Sequence, residues 1–318
     1  MHLEFLPTQR LPRACWAICA TATAAALVMT WIVGFRLELG TFFSILLAFL
    51  LLVGIHIVYT VLRPIPVFAA VTGGIAVTTW SLMMVGVTAL AGLGLHAPLI
   101  DGALIRADAS FGLNAAMFTD WVARYPVFAS LLMGFYVSSI PLIFATVLFL
   151  ALTGRDERMW AFCLSITGAA IVCALVSSVI PAIGSFTELN IPLSTRRLLP
   201  AGAGTYHLAA LEAYRSGSLH VIDMTRLDGV VVFPSFHVIM ALATAHAYRG
   251  IRLISPIAYV ANAIVILATV PMGGHYFIDL LAGAVVWAPF AMITRERSGV
   301  APGAVLMVPQ IARAPSGL

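Results

Sequence analysis

Two short polar islands interrupt long apolar runs, and each carries a histidine. The first is Phe233-Pro234-Ser235-Phe236-His237 and the second is Gly273-Gly274-His275-Tyr276-Phe277-Ile278-Asp279. Asp279 follows His275 by four residues, one helical turn away on the same face. A hydrogen bond there would fix the imidazole tautomer and make its other nitrogen a better nucleophile. His237 and His275 lie 38 positions apart. That is about 57 Å of helix, close to two crossings of a bilayer about 30 Å thick. An out-and-back helical hairpin would return the second histidine to the membrane face where the first began.

Each island should also start a helix. Pro234 suits a first helical turn, with Ser235 and His237 at the N-terminus. The glycine pair before His275 lets backbone approach a ligand closely. Helix N-termini carry unpaired amides and positive dipole, so two of them facing one cavity favour an anion, phosphate being the obvious one. Two other readings of the same residues stand beside this one. A His/His/Asp metal site fits the spacing but lacks a further ligand cluster nearby. A polar helix–helix contact explains Asp279 beside His275 but not the Pro-Ser-x-His partner on the same face.

The elements that must position these residues are membrane helices. Of the 318 residues, 61% are hydrophobic and only 9% charged, and mean hydropathy is +1.03. Soluble chains average near a quarter charged residues, and uninterrupted apolar runs indicate helices rather than a barrel. The fold expected is all-α, a polytopic membrane bundle of about eight spans. The spans fall at 15–35, 41–62, 66–94, 126–153, 158–183, 230–249, 252–272 and 276–294. Residues 1–65 are expected to form an N-terminal transmembrane hairpin, 66–298 a membrane-embedded domain, and 299–318 a flexible tail. The first span is too long for a signal-peptide core and reads as retained. Ala107–Val122 reads as one interfacial helix, with Phe111, Met117, Phe118 and Trp121 at headgroup depth. Gly73, Gly74, Gly92 and Gly94 are expected where helices pack closely.

The net charge is +4, and every one of the 17 basic residues is arginine. A lysine Schiff base is therefore excluded, and no basic stripe interleaved with aromatics supports nucleic-acid binding. Cys15, Cys19, Cys163 and Cys173 all sit in apolar segments and read as packing residues. Arg10, Arg13, Arg63, Arg155, Arg158, Arg249, Arg252, Arg295, Arg297 and Arg313 fall on one side of an eight-span topology, mostly on short turns. Positive-inside then places the termini in the cytoplasm and both histidines on the far face, in a bacterium the periplasmic side of the inner membrane.

The residues resemble a family. Pro-Ser-x-His, followed two helices later by His-x-x-x-Asp, is similar to the type 2 phosphatidic acid phosphatase superfamily. Phe-Pro-Ser-x-His with Gly-Gly-His-Tyr-x-x-Asp-x-x-Ala-Gly is most similar to its inositol phosphorylceramide synthase (aureobasidin-resistance) branch. The resemblance covers roughly residues 160–290 and implies a six-helix phosphatase-like core among the eight spans. It implies that His275 attacks phosphorus, oriented by Asp279, while His237 protonates the departing oxygen. Ser235 and nearby backbone amides, Gly274 among them, would hold phosphate oxygens, with no metal and no cofactor. Substrates implied are a phospholipid, a sphingolipid or an isoprenoid phosphate, the acceptor being water or an alcohol.

Two departures matter. The superfamily's Lys-x6-Arg-Pro motif is absent, and Ala268 and Thr269 stand where its Ser-Arg would fall. The synthase branch lacks that arginine too. Arg196 and Arg197 are the candidates to neutralise phosphate, with Arg215 and Arg226 behind them. His207 and His220 read as solvated loop residues. A transporter using His/Asp as a proton relay is the rival from another class; it requires broken helices near mid-membrane in related halves, and no first-half counterpart of the two islands is visible.

Overall fold

Backbone amides in lipid must be satisfied within their own segment, so each long apolar run becomes a helix. The computed structural model describes residues 10–227 and 229–294. His2, Asp228, Arg295, Arg297, Arg313 and the tail expected over 299–318 lie outside the described residues.

The chain opens with α1 (Leu11–Val33), which ends on a left-handed Gly34, and α2 (Leu39–Ile57), whose first amides are capped by the Glu38 carboxylate. A π-turn over Val58–Leu62 extends α2, and α3 spans Pro66–Gly92. Two short helices follow, α4 (Asp101–Ser110) and α5 (Ala115–Ala123), and then the long α6 (Pro126–Leu152) and α7 (Asp156–Val179). A loop layer carries α8 (Ser185–Glu188), α9 (Leu193–Leu198) and α10 (Leu208–Arg215). The chain then builds α11 (Phe236–Ala247), α12 (Ile254–Gly273) and α13 (Phe277–Ile293). A two-residue parallel pairing joins β1 (Arg36–Leu37) to β2 (Val221–Ile222), tying the first hairpin to the loop layer.

Six of these helices are long and apolar enough to cross a membrane: α1, α2 with its π-turn, α3, α6, α7 and α12. The chain is an integral membrane protein of the all-α class, its described residues almost without strand. The remaining two expected spans are apolar but shorter, α11 having 12 residues and α13 having 17. Only Phe236–Ala247 of the span expected over 230–249 is helical. Pro234 lies ahead of the helix instead of inside its first turn, and Ser235 takes the N-cap position. The single interfacial helix expected over Ala107–Val122 is two helices. Gly112 at φ +71° breaks it, and the Asn114 side chain caps the second half by accepting from the Met117 amide.

The bundle is organised around α7, whose most apolar stretch is 83% buried, whereas none of the corresponding stretch of α2 is buried. α3 runs beside α7, and α1 packs on both, with the Trp80 indole N–H donating to Thr23 at 2.8 Å. The four glycines expected at close contacts are at close contacts. A Cβ at Gly74 would fall 2.8 Å from Val147, one at Gly73 2.7 Å from the His56 ring, and one at Gly92 would collide with Ser178. Gly94 meets Phe35 in the same way, at 2.9 Å. All four cysteines are buried and free, in packing positions.

Candidate active site

Two chain reversals meet where α11 and α13 begin. Ser235 precedes α11, and its amide donates to the Asp279 carbonyl at 3.1 Å, lacing the start of one helix to the first turn of the other. Gly283, one turn beyond Asp279, makes this crossing possible, because a Cβ there would fall 2.5 Å from the Ser235 carbonyl. That accounts for a glycine four residues after the aspartate. The Cys173 thiol of α7 donates to the Pro234 carbonyl at 3.1 Å and holds the other side.

The helix α12 stops at Gly274, which is left-handed (φ +75°), and its amide closes the last turn onto the Val270 carbonyl. A Cβ at Gly274 would lie 2.8 Å from the Gly204 carbonyl, so both conformation and space require glycine. Its own carbonyl accepts from the Ser185 amide at 2.8 Å. The Gly274 amide expected at phosphate is thus already engaged in a helix cap, and the residue shapes the turn that delivers His275.

His275 is buried, with its Nδ1 3.3 Å from Asp279 Oδ2 and its Nε2 3.5 Å from Ser235 Oγ. Asp279 is fully buried, and the same Oδ2 accepts from the Tyr276 amide at 2.8 Å. Nδ1 therefore faces a carboxylate and Nε2 a hydroxyl; a carboxylate held at one ring nitrogen makes the other the better nucleophile. The His237 ring stands edge-on to the His275 ring with centroids 6.3 Å apart. The hairpin inferred from spacing brings Ser235, His237, His275 and Asp279 to one place.

The amides at the start of α13 are not open to an anion, contrary to expectation. Asp108, on α4, accepts the Phe277 amide at 2.9 Å and the Ile278 amide at 2.8 Å. Asp101, two turns before it on the same face of α4, accepts the Ile183 and Gly184 amides and the Tyr276 hydroxyl. Both carboxylates are buried. The helix dipole attracts negative charge as anticipated, but the protein supplies that charge itself. The seven-residue spacing of Asp101 and Asp108, which puts both on one helix face, was the available sequence signal.

Sequence reasoning also passed over Tyr136 and Tyr206 and misread His207. His207 is buried, not solvated, and its Nε2 lies 3.0 Å from the Ile183 carbonyl beside the Gly184 turn. Burial pushes its pKa below the ordinary value, and the bond to that carbonyl only partly opposes this. Tyr136 of α6 stacks flat on His237, centroids 4.0 Å apart, and its hydroxyl meets the Tyr206 hydroxyl at 3.0 Å. The arginine pair divides. The Arg196 guanidinium donates to the carbonyls of Ile191 and Phe186 and lies over the Phe186 ring, whereas Arg197 is exposed. Arg215 donates to the Ala97 carbonyl.

Beside His237 opens a cavity of about 460 Å³, walled by apolar side chains of α3, α6, α7 and α11, among them Leu82, Ile140, Ile143 and Met240. Its polar groups are His237 with Tyr136 and Tyr206, and His275 is not part of its lining among the described residues. An apolar chamber with a few convergent polar groups at one end suits an amphiphile. Among the described residues no group of three or more His, Cys, Asp or Glu side chains is disposed to hold a metal ion.

The family model described as PAP2 superfamily, that of the type 2 phosphatidic acid phosphatases, matches residues 102–292. That segment is more than half of the chain and holds Ser235, His237, His275 and Asp279. No curated protein and no solved structure matches the chain.

Proposed function

Because the chain belongs to the PAP2 superfamily, we propose that it is a metal-independent lipid phosphotransferase or phosphatase working through a phosphohistidine. His275 Nε2 attacks phosphorus while the bond from phosphorus to the lipid alcohol oxygen breaks. His237 gives its proton to that oxygen. In the second half His237, now neutral, takes the proton of an acceptor hydroxyl whose oxygen attacks phosphorus, and the P–N bond breaks to restore His275. Asp279 holds His275 with Nε2 toward the substrate and stabilises the ring as it becomes positively charged.

The observation carrying this reading is the convergence of the two imidazoles at 6.3 Å with a carboxylate behind only one of them. The second support is the apolar cavity on the His237 side. An oxygen protonated by His237 belongs to whatever occupies that chamber, so the departing alcohol is the lipid. By the same geometry a second lipid alcohol can enter, and transfer of a phosphoryl headgroup is favoured over hydrolysis. The Gly-Gly-His-Tyr-x-x-Asp-x-x-Ala-Gly pattern supports an inositol phosphorylceramide synthase-like reaction, with a sphingolipid alcohol as acceptor and a phospholipid as donor.

Ser235 and the first amides of α11 hold the phosphate oxygens, since the α13 amides are occupied by Asp108. Arg196 braces the loop layer, and Arg197, exposed on the same helix, meets the headgroup. Residues 66–298 form the catalytic unit, flanked by the 1–65 hairpin. The arginine distribution supports a site on the periplasmic side of a bacterial inner membrane. Release of phosphate or headgroup from labelled lipids by the purified protein tests the reading. His275→Ala should abolish it, and activity equal to the parent would reject the assignment.

A further inference from the structure

We infer that Tyr136 is the positioning residue of the proton donor, holding the His237 ring in plane and favouring its protonated form. The inference rests on the reading of His237 as general acid. Tyr136 lies face to face with His237, centroids 4.0 Å apart and planes inclined by 16°. An aromatic face carries negative quadrupole potential, so it attracts an imidazolium more than a neutral imidazole.

The tyrosine is itself fixed. Its ring is buried on α6, and its hydroxyl is paired with that of Tyr206 from the loop layer. Gly273 explains how the phenol fits: a Cβ there would lie 2.8 Å from the Tyr136 hydroxyl and 2.7 Å from His275 Cδ2. The end of α12 is therefore bare where the phenol and the nucleophile's ring close on it.

The other ionisable groups around His237 leave this task to Tyr136. His275, between α12 and α13, meets it edge-on, and Asp279 of α13 turns its Oδ2 to His275 Nδ1. From α7, Cys173 is directed at the Pro234 carbonyl. Tyr206, from the loop layer, joins it in lining the cavity. The surface stacked on the acid is the phenol. A general acid must be protonated and aimed at the instant the P–O bond breaks, and this matters most when the leaving oxygen is a poor leaving group.

The test uses full-length protein and phosphate esters whose leaving group bears one common alkyl chain, on phenols of stepped acidity or on a simple alkanol. Tyr136→Leu and Tyr136→Met should lose about 3- to 10-fold more rate on the alkanol ester than on the most acidic phenol ester. Tyr136→Phe, which keeps the aromatic face, should hold the parent's ratio. Each ratio is taken within one preparation, so a smaller folded fraction does not alter it. A uniform loss across the series in Leu and Met, or a Phe variant that behaves as they do, overturns the inference. His237→Ala separates the two levels. If it leaves the ratio unchanged, the general-acid reading falls. If it steepens the dependence while Leu and Met do not, only the role of Tyr136 falls.

Discussion

Asp108 grips the helix that carries Asp279 from a distance of some 170 positions: its Oδ1 accepts the Ile278 amide at 2.8 Å. Its other oxygen takes the Phe277 amide, so one buried carboxylate caps the first two residues of α13. The histidine–aspartate pair is thus supported from α4, a helix that contributes nothing to the cavity lining.

Asp108→Ala should destabilise the protein by about 1–2 kcal/mol, the range of a lost N-cap, with the freed amides part-buried and unpaired. Asp108→Asn, which keeps one carbonyl acceptor, should recover part of that. Thermal unfolding of the two variants in the same detergent checks it, and equal midpoints for Ala and parent would contradict the capping role.

Asp279→Asn should leave substrate affinity nearly unchanged and lower kcat by about 10²- to 10⁴-fold, because an amide can present the wrong partner to Nδ1 and turn the tautomer around. Steady-state kinetics decide this: a rise in KM with kcat preserved would place Asp279 in binding instead.

Gly283→Ala should push α11 and α13 apart where they cross. The added methyl meets the Ser235 carbonyl at 2.5 Å, and backbone cannot yield as a side-chain tip can. The expected cost is about 1–3 kcal/mol, with a larger loss of activity than of stability, since the displaced pair carries Ser235 and Asp279. Ala substitution at Gly134, which has open space around it, is the control.

Acidification should weaken the loop layer through His207. Burial holds its folded pKa below the ordinary 6.5, so the folded protein keeps the ring neutral while the unfolded chain takes up a proton. The stability is fully present above about pH 6.5 and is lost as the pH falls toward the lowered folded value. Unfolding midpoints measured from about pH 7.5 to 5.5 should fall for the parent and stay flatter for His207→Gln. Parallel curves would contradict the assignment.

Much of this architecture was legible in local pattern. The long helices lie within a few residues of the apolar runs that announced them, and His275 with Asp279 is a one-turn relation that spacing alone reveals. Four features were not. Val230–Ser235 is apolar enough to read as membrane span, yet it is not helical, because hydropathy reports burial and not backbone conformation. The interfacial segment broke at Gly112, where a left-handed turn interrupts an otherwise amphipathic pattern. The filling of the α13 N-terminus depends on Asp108, and no periodicity joins residues that distant in the chain. His207 was misjudged for the same reason, since what buries it is the turn around Ile183 and Gly184.

The central claim is a covalent bond between phosphorus and one nitrogen of one histidine. The direct measurement is peptide mass spectrometry on His237→Ala, mixed with a phosphate ester bearing an activated leaving group and quenched under alkaline conditions, where phosphoramidates survive. Loss of the proton acceptor should slow the second step, so phosphate is expected to accumulate on His275 and to be absent from the His237→Ala/His275→Ala double variant. Phosphate found on any other residue, or turnover that persists without His275, would contradict the account.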